Sequence, residues 1–114
     1  MEAGAGKATV EYEVNLRVKK QVEGPFLEWL RAHMRDMVET TRCFVSARLY
    51  SQEALEGDCE ATSDEARYVA VYGCADRAAL QHYFDHHAPA MRADGLQRFP
   101  NQFSATRRIL HLQQ

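Results

Sequence analysis

Strict alternation of apolar and polar residues from Val10 to Val18 is the feature that most constrains how this chain folds. In the stretch VEYEVNLRV, five apolar side chains fall on one side and the polar side chains between them on the other. A period of two residues is typical of a β-strand with one face buried and one face open. The sequence therefore begins with a strand of a sheet whose two faces differ.

A helical period follows the Gly24–Pro25 break, since apolar residues then recur every three or four positions as far as Thr40. A second helix is predicted to begin at Asp76, a good N-cap residue, to bend or break at Pro89 near Asp85, and to end at Gly95. Three further strands are predicted over residues 43–50, 67–74 and 103–112.

The element order is strand, helix, strand, strand, helix, strand, which is that of the ferredoxin-like α+β fold. Right-handed crossovers then give an antiparallel four-stranded sheet of order 4-1-3-2 with both helices on one face. Alternation assigns these residues to the face under the helices: Val14, Leu16, Val45, Leu49, Val69 and Val71. It assigns four aromatic residues to the uncovered face: Phe44, Tyr50, Tyr68 and Tyr72. An exposed apolar patch indicates a partner, so we expect a homodimer formed through this face.

The 114 residues suit a single domain, which we place at residues 9–112 after a disordered leader at residues 1–8. Residues 52–66 carry six acidic and no basic side chains and are predicted to form an acidic flexible loop. The net charge of −2 gives no basic signature for nucleic acid. No apolar run approaches the ~20 residues of a membrane span, and no secretory signal is present, so we expect a soluble cytoplasmic protein with no membrane partner.

The histidines and cysteines offer only weak metal patterns. His82 and His86, four residues apart with Asp85 between them, could hold a metal, but a solvated helix face explains them equally well. Three scattered cysteines, Cys43, Cys59 and Cys74, have no CxxC spacing and are interpreted as free thiols, the first and last in strands. We therefore expect no metal and no cofactor.

Two other histidines, His33 and His87, lie on the apolar stripes of their helices. Each is either a hydrogen-bonded structural residue or a general acid or base at the edge of a pocket, and the sequence leaves both interpretations open.

Arginines cluster late in the chain, at Arg92, Arg98, Arg107 and Arg108. Such groups bind carboxylate or phosphate, or they pair with acidic residues of the protein. Because neighbours on a strand point to opposite faces, Arg107 and Arg108 must separate. We expect Glu11 or Glu13 on the first strand to pair with one of them.

Three stretches carry a resemblance to a known family: YEVNLRV, WLRAHMRDM and YFDHHAPAMRADGLQRFPNQFSATRRIL. With its YxVNL start and its MRxxGLxRF and RRIL finish, the chain resembles, from Tyr12 to Leu110, a small family described only as a domain of unknown function. That family is similar to the dimeric α+β barrels, in which two ferredoxin-like sheets pack face to face. The resemblance implies a fold and a dimer. The wider superfamily includes small monooxygenases, isomerases and haem-handling enzymes.

These observations favour a protein that binds a small molecule, or a small cofactor-free enzyme, with a pocket between helices and sheet or between two sheets. The predicted rim is formed by Asn15, Trp29, His33, Tyr72, His87 and Arg108. The alternative is a structural or regulatory homodimer without catalysis.

Two further interpretations have less support. The RNA-recognition motif shares the element order and would stack bases on Tyr68 and Tyr72, but its sequence signature is missing, so no nucleic-acid partner is expected. Asn15, Trp29 and a histidine loosely resemble residues of haem-degrading relatives, but the second helix does not match their register.

Overall fold

Four antiparallel strands form one sheet, and the helices cover one of its faces. The computed structural model describes residues 8–55, 57 and 64–114. In chain order the elements are β1 (Val10–Lys19), a 3-10 turn (Lys20–Val22), α1 (Glu23–Glu39), β2 (Ser46–Ser51), β3 (Glu65–Cys74), α2 (Arg77–His86), α3 (Ala88–Arg98) and β4 (Phe103–His111).

The sheet order is β2-β3-β1-β4, the predicted 4-1-3-2 order counted from the other edge. The two central strands are β1 and β3, and Tyr12 of β1 lies between Tyr72 of β3 and Ile109 of β4. The ferredoxin-like α+β prediction is confirmed, with the second helix divided in two.

The core lies between the helices and one face of the sheet. Directly paired residues share a face, so the β1 register fixes which side of each neighbouring strand is buried. Four of the five alternating apolar residues of β1 are buried, and Val14 is half-buried and packs against them. The buried helical side chains of this core are Phe26, Leu30, Met34, Met37, Val38, Leu80, Tyr83 and Ala88.

The face predicted for β3 is wrong. Val69 and Val71 pair with Asn15 and Glu13 and therefore lie on the uncovered face, whereas Tyr68 and Tyr72 face the helices. Both sides of RYVAVYGC are largely apolar, so alternation alone could not choose between them. Pairing with β1 decides the matter.

The predicted start of the second strand at residue 43 is also wrong, since β2 begins at Ser46 and Cys43 and Phe44 lie in the loop before it. Phe44 is 3% exposed. Its ring centroid lies 5.2 Å from that of Tyr72 and 5.0 Å from that of Tyr83. Of the four aromatic residues predicted for the uncovered face, only Tyr50 lies there.

We call the uncovered side the open face. It is built from these strand residues: Glu11, Glu13, Asn15, Arg17, Ser46, Arg48, Tyr50, Arg67, Val69, Val71, Gly73, Ser104, Thr106, Arg108 and Leu110.

The second helix is two helices joined at His87, so its predicted end at Gly95 is wrong. Pro89 lies in the first turn of α3, where a missing N–H costs nothing. Gly95 lies inside α3 and is buried against the Trp29 ring. A Cβ at this position would come within 2.8 Å of that ring. The glycine is needed for close packing and not for a turn.

Part of the sequence prediction falls on residues that the structure does not describe. Residues 1–7 of the predicted leader and part of the acidic segment (56 and 58–63), with Cys59 in it, lie outside the described residues. Glu65 and Ala66, placed in the loop by sequence, begin β3. Cys43 and Cys74 are buried free thiols. No described helix is long and apolar enough to cross a membrane.

Candidate functional site

A cavity of about 50 Å³ lies between the sheet and the helices, within about 500 Å³ of unfilled space that includes its opening. It is lined from the sheet by Tyr12, Val14, Leu16, Ala70, Tyr72, Phe103, Ala105 and Arg107, and from the helices by Trp29, Leu30, His33, Met37, Tyr83, Met91, Arg92 and Gly95. The wall is thus mainly aromatic and aliphatic, with a few polar groups among them. We call this space the helix–sheet cavity.

Trp29 and His33 form one wall, one turn apart on α1. The Trp29 indole donates a 2.8 Å hydrogen bond to Asp94 of α3, and Asp94 also accepts a 3.0 Å bond from Arg98. These two hydrogen bonds lower the pKa of Asp94, so the anchor of the indole stays ionised. The His33 ring stacks on the indole at a centroid distance of 4.7 Å.

His33 is held in its neutral form. Burial lowers its pKa from the ordinary 6.5, and the nearby carboxylates of Asp94 and Asp36 only partly oppose this. A neutral imidazole beside a cavity can accept a proton, which is the requirement for a general base.

Three tyrosines form the opposite wall. The ring centroid of Tyr12 lies 6.2 Å from that of Tyr72 and 5.8 Å from that of Tyr83. Burial raises the pKa of both Tyr72 and Tyr83, so these phenols stay protonated and can act as O–H donors. The Tyr12 hydroxyl accepts a 3.1 Å hydrogen bond from Arg92.

The adjacent arginines of β4 separate as predicted. Arg108 lies on the open face and donates to Glu13, which also accepts a 3.1 Å bond from Asn15. Burial tends to raise the pKa of Glu13, but these two hydrogen bonds outweigh it and the net shift is downward. Arg107 lies on the helix side and lines the helix–sheet cavity. Among residues 8–55, 57 and 64–114, no carboxylate pairs with Arg107 or Arg92.

The six predicted rim residues fall in three places. Trp29, His33 and Tyr72 line the helix–sheet cavity. Asn15 and Arg108 meet at Glu13 on the open face. His87 lies apart, at the junction of α2 and α3.

Four cavity residues with hydroxyl or guanidinium groups were not among the predicted rim residues: Tyr12, Tyr83, Arg92 and Arg107. Tyr12 and Tyr83 were visible as apolar positions on a strand and on a helical stripe. Arg107 could have been found from the register of β4, because it pairs with Val14 of the buried face.

The pattern that suggested base stacking is absent from the open face, because Tyr68 and Tyr72 point to the helices. The Tyr68 hydroxyl instead donates to Glu23 of α1. Burial and that bond raise the pKa of Tyr68 to about 12.

The fold and the aromatic cavity under its helices define this chain as a ferredoxin-like α+β domain. It belongs to the family described as Domain of unknown function (DUF4286), whose model matches residues 9–113. The comparison with curated proteins gave no match.

Solved structures share the fold at low sequence identity. A monooxygenase from Streptomyces coelicolor, in complex with nanaomycin D, is 13% identical, with a TM-score of 0.62 and coverage of 100% of this chain and 96% of that one. SnoaB, a cofactor-independent oxygenase from Streptomyces nogalater, is 13% identical, with a TM-score of 0.59 and coverage of 94% and 96%. A dimeric ferredoxin-like protein from an uncultured marine organism is 10% identical, with a TM-score of 0.66 and coverage of 92% and 96%. These similarities confirm the expected ferredoxin-like fold.

Proposed function

We propose that this protein binds a small, flat, largely apolar molecule bearing an acidic or anionic oxygen in the helix–sheet cavity, and acts on it without a cofactor. The observation that carries the proposal is the composition of the wall. Aromatic rings surround a space that also meets one neutral histidine, three buried phenols and two arginines. Ligand sites are typically apolar with a few polar groups that fix orientation.

The charge at the cavity selects the ligand class. Arg92 and Arg107 are exposed, line the cavity and have no carboxylate partner among the described residues. Guanidinium groups bind carboxylate and phenolate oxygens through paired hydrogen bonds. An aromatic acid or phenol places its rings among the tyrosines and its oxygen at these arginines.

The chemistry that fits is abstraction of a proton from the bound molecule. Neutral His33 accepts the proton, and the resulting anion is stabilised by the arginines and by the protonated phenols of Tyr72 and Tyr83. Two proteins of similar structure, a cofactor-independent oxygenase and a monooxygenase, support an enzyme of this general kind.

The size of the cavity favours a second candidate, the structural or regulatory homodimer without catalysis. About 50 Å³ holds only a few water molecules, whereas ligand sites usually measure about 300–1,000 Å³. A ligand must therefore displace the side chains at the opening, among them Met91, Arg92 and Arg107. If these side chains do not move, the cavity is too small for a ligand and the structural or regulatory homodimer is favoured.

A fluorescence titration tests the proposal directly, because Trp29 is the single tryptophan of the chain and lies in the cavity wall. We expect a hydroxynaphthoic acid to quench its emission in a saturable way. Arg107→Ala should weaken this binding by about tenfold or more, as expected for loss of a charged hydrogen bond. Arg108→Ala, the neighbour on the opposite face, is the matched control and should bind like wild type.

No quenching by aromatic acids at millimolar concentration, together with no copurified small molecule in native mass spectrometry, favours the structural homodimer. Equal weakening by the two arginine variants would place the ligand outside the helix–sheet cavity.

The homodimer also belongs to the proposal, with the open face as its interface. Tyr50 and Leu110 are 47% and 37% exposed there. They lie beside two ion pairs, Arg48 with Glu11 at 2.9 Å and Arg108 with Glu13. A two-fold interface needs a self-complementary surface, and a face carrying both signs of charge and exposed apolar groups meets that need. Similar structures named as dimeric ferredoxin-like proteins support this assembly.

A further inference from the structure

We propose that Cys43, His82 and His87 form a binding site for a divalent transition metal, with zinc as the natural occupant. One ligand atom from each residue, the Cys43 thiol sulfur and one imidazole nitrogen from each histidine, lies within 4.8 Å of the other two. The site is outside the helix–sheet cavity, whose lining includes none of the three residues. It therefore does not depend on the proposed function.

The loop after α1 fixes the position of Cys43. Arg42 adopts a left-handed conformation with φ of 59°, which ends the helix and turns the chain. The Thr41 hydroxyl donates to the carbonyl of Met37 and accepts a 3.2 Å bond from the Cys43 backbone N–H. Cys43 is buried at 6% exposure, and its thiol contacts the Thr41 carbonyl at 3.4 Å. The sulfur is thus held in one place before any metal binds.

The break between α2 and α3 brings the two histidines together. Five residues apart on a continuous helix, His82 and His87 would diverge by about 140°, since each residue turns the helix by about 100°. The helix ends at His86, and His87 has φ of −128° and ψ of −34°, outside helical geometry. As a result the two ring centroids lie only 5.9 Å apart.

One thiolate and two imidazoles suit a borderline-soft metal. Zinc binds Cys sulfur at about 2.3 Å and His nitrogen at about 2.0–2.1 Å, which separates tetrahedral ligand atoms by about 3.3–3.6 Å. Closing from 4.8 Å requires shifts of about 1 Å, which the exposed His82 side chain can make by rotation. Three protein ligands leave a fourth position for water, the arrangement of an open zinc site.

The competing arrangement is the pair His82 and His86, whose ring centroids are 4.3 Å apart. Its candidate third ligand, Asp85, accepts a 2.9 Å bond from Gln81 and does not belong to the cluster of ligand atoms. Two imidazoles without a third ligand make a weak site. Cys43 is therefore the residue that distinguishes the two arrangements.

The test is a titration of the full 114-residue chain with Zn²⁺ and with Co²⁺ as a spectroscopic substitute. We expect one metal ion per chain, a raised melting temperature with Zn²⁺, and a thiolate-to-cobalt charge-transfer band with Co²⁺. His82→Ala should weaken binding by more than about 100-fold, because even outer residues of metal sites contribute 10–100-fold. Cys43→Ala should abolish the charge-transfer band.

Two control variants keep the result specific. His86→Ala should bind Zn²⁺ and Co²⁺ like wild type. Cys59→Ser should also bind them like wild type, because Cys43 supplies the thiol ligand. Loss of binding in His86→Ala with retention in Cys43→Ala would overturn the site in favour of the helical pair. Absence of stoichiometric Zn²⁺ or Co²⁺ binding to the wild-type chain would also overturn it. Because His82 is exposed, its variant separates loss of a ligand from loss of folding. Quenching of Trp29 by an aromatic acid is a separate measurement, so either proposal can fail alone.

Discussion

At the scale of single residues, the candidate site depends on a glycine, because its lack of a side chain leaves room for the Trp29 ring. Gly95 lies against Trp29, which stacks on His33 and is held by Asp94. A Cβ at residue 95 would lie 2.8 Å from one ring carbon of Trp29 and 3.3 Å from the ring of Phe103. One methyl group here would therefore displace the wall of the helix–sheet cavity.

Gly95→Ala should lower the free energy of unfolding by about 1–2 kcal/mol, because overpacking outweighs the gain of about 1 kcal/mol in helix propensity. Gly24→Ala is the matched control. Gly24 lies in the first turn of α1, and apart from its chain neighbours nothing lies within 4 Å of its added Cβ. Pro25 disfavours helical backbone at a preceding residue with a Cβ, which offsets the gain in chain entropy, so the change should stay within about 0.5 kcal/mol of neutral. Urea unfolding of both variants measures the difference. Equal free energies of unfolding for the two variants would mean that the Trp29 ring moves aside at little cost.

His33 should make stability depend on pH. Burial lowers its pKa below the ordinary 6.5, so the unfolded chain takes up a proton at a higher pH than the folded protein does. Stability is therefore complete above about pH 6.5 and is lost as the pH falls from there towards the folded pKa. His33→Phe keeps a ring on Trp29 and should flatten this part of the profile.

The measurement is urea unfolding at about pH 7.5, 6.5 and 5.5 for wild type and for His33→Phe. His86→Ala, which changes an exposed histidine, should retain the wild-type slope. If His33→Phe and wild type lose stability in parallel, His33 is not the group that titrates.

At the scale of elements, the start of α2 follows a local rule that is visible in the sequence. Asp76 was predicted to cap the second helix, and its carboxylate accepts a 2.9 Å hydrogen bond from the backbone N–H of Ala79. The prediction is confirmed. The end of that helix follows a different rule, because Pro89 suits the first turn of a new helix and α2 ends at His86.

Asp76→Ala should cost about 1 kcal/mol of stability through loss of the N-cap bond. Asp85→Ala is the control, since Asp85 is exposed and, among the described residues, bonds only to Gln81 of the same helix, an interaction worth a few tenths of a kcal/mol. Thermal unfolding followed by circular dichroism distinguishes the two. A similar cost for both variants would contradict a capping role.

At the scale of the whole molecule, the sheet separates two kinds of chemistry. Its helix side holds the aromatic cavity, and its open face holds ion pairs with Tyr50 and Leu110 exposed among them. The proposed dimer buries the second side and leaves the first accessible through the helices. The proposed metal site lies at a third place, where the loop before β2 meets the α2–α3 junction.

Charges introduced into the open face should dissociate the dimer. Tyr50→Asp and Leu110→Asp should each shift the mass measured by light scattering from about twice the monomer mass towards 13.0 kDa. Leu112→Asp is the control, because Leu112 lies beyond the end of β4 and is already 61% exposed. A monomeric wild type at micromolar concentration would contradict the proposed assembly.

Much of the candidate site could be predicted from the sequence, but not its grouping. Trp29, His33 and Tyr72 were chosen as rim residues and share one cavity. Asn15 and Arg108 were predicted for the same rim and lie on the other side of the sheet. Alternation along β1 already indicates that face for Asn15, whereas the sequence alone does not fix the face of the strand that carries Arg108. The approach of Cys43 to His82 and His87 joins residues about forty positions apart, and no local spacing indicates it.

The sequence by itself determined the order of the elements, the buried side of β1, the stripe of α1 and the N-cap at Asp76. Each of these follows from local periodicity or from a hydrogen bond within one turn. Only the tertiary structure decided which side of β3 is buried, that Phe44 enters the core and that Gly95 admits Trp29. Those outcomes depend on the strand register and on how rings from distant parts of the chain fill one volume, and a pattern along the chain contains neither.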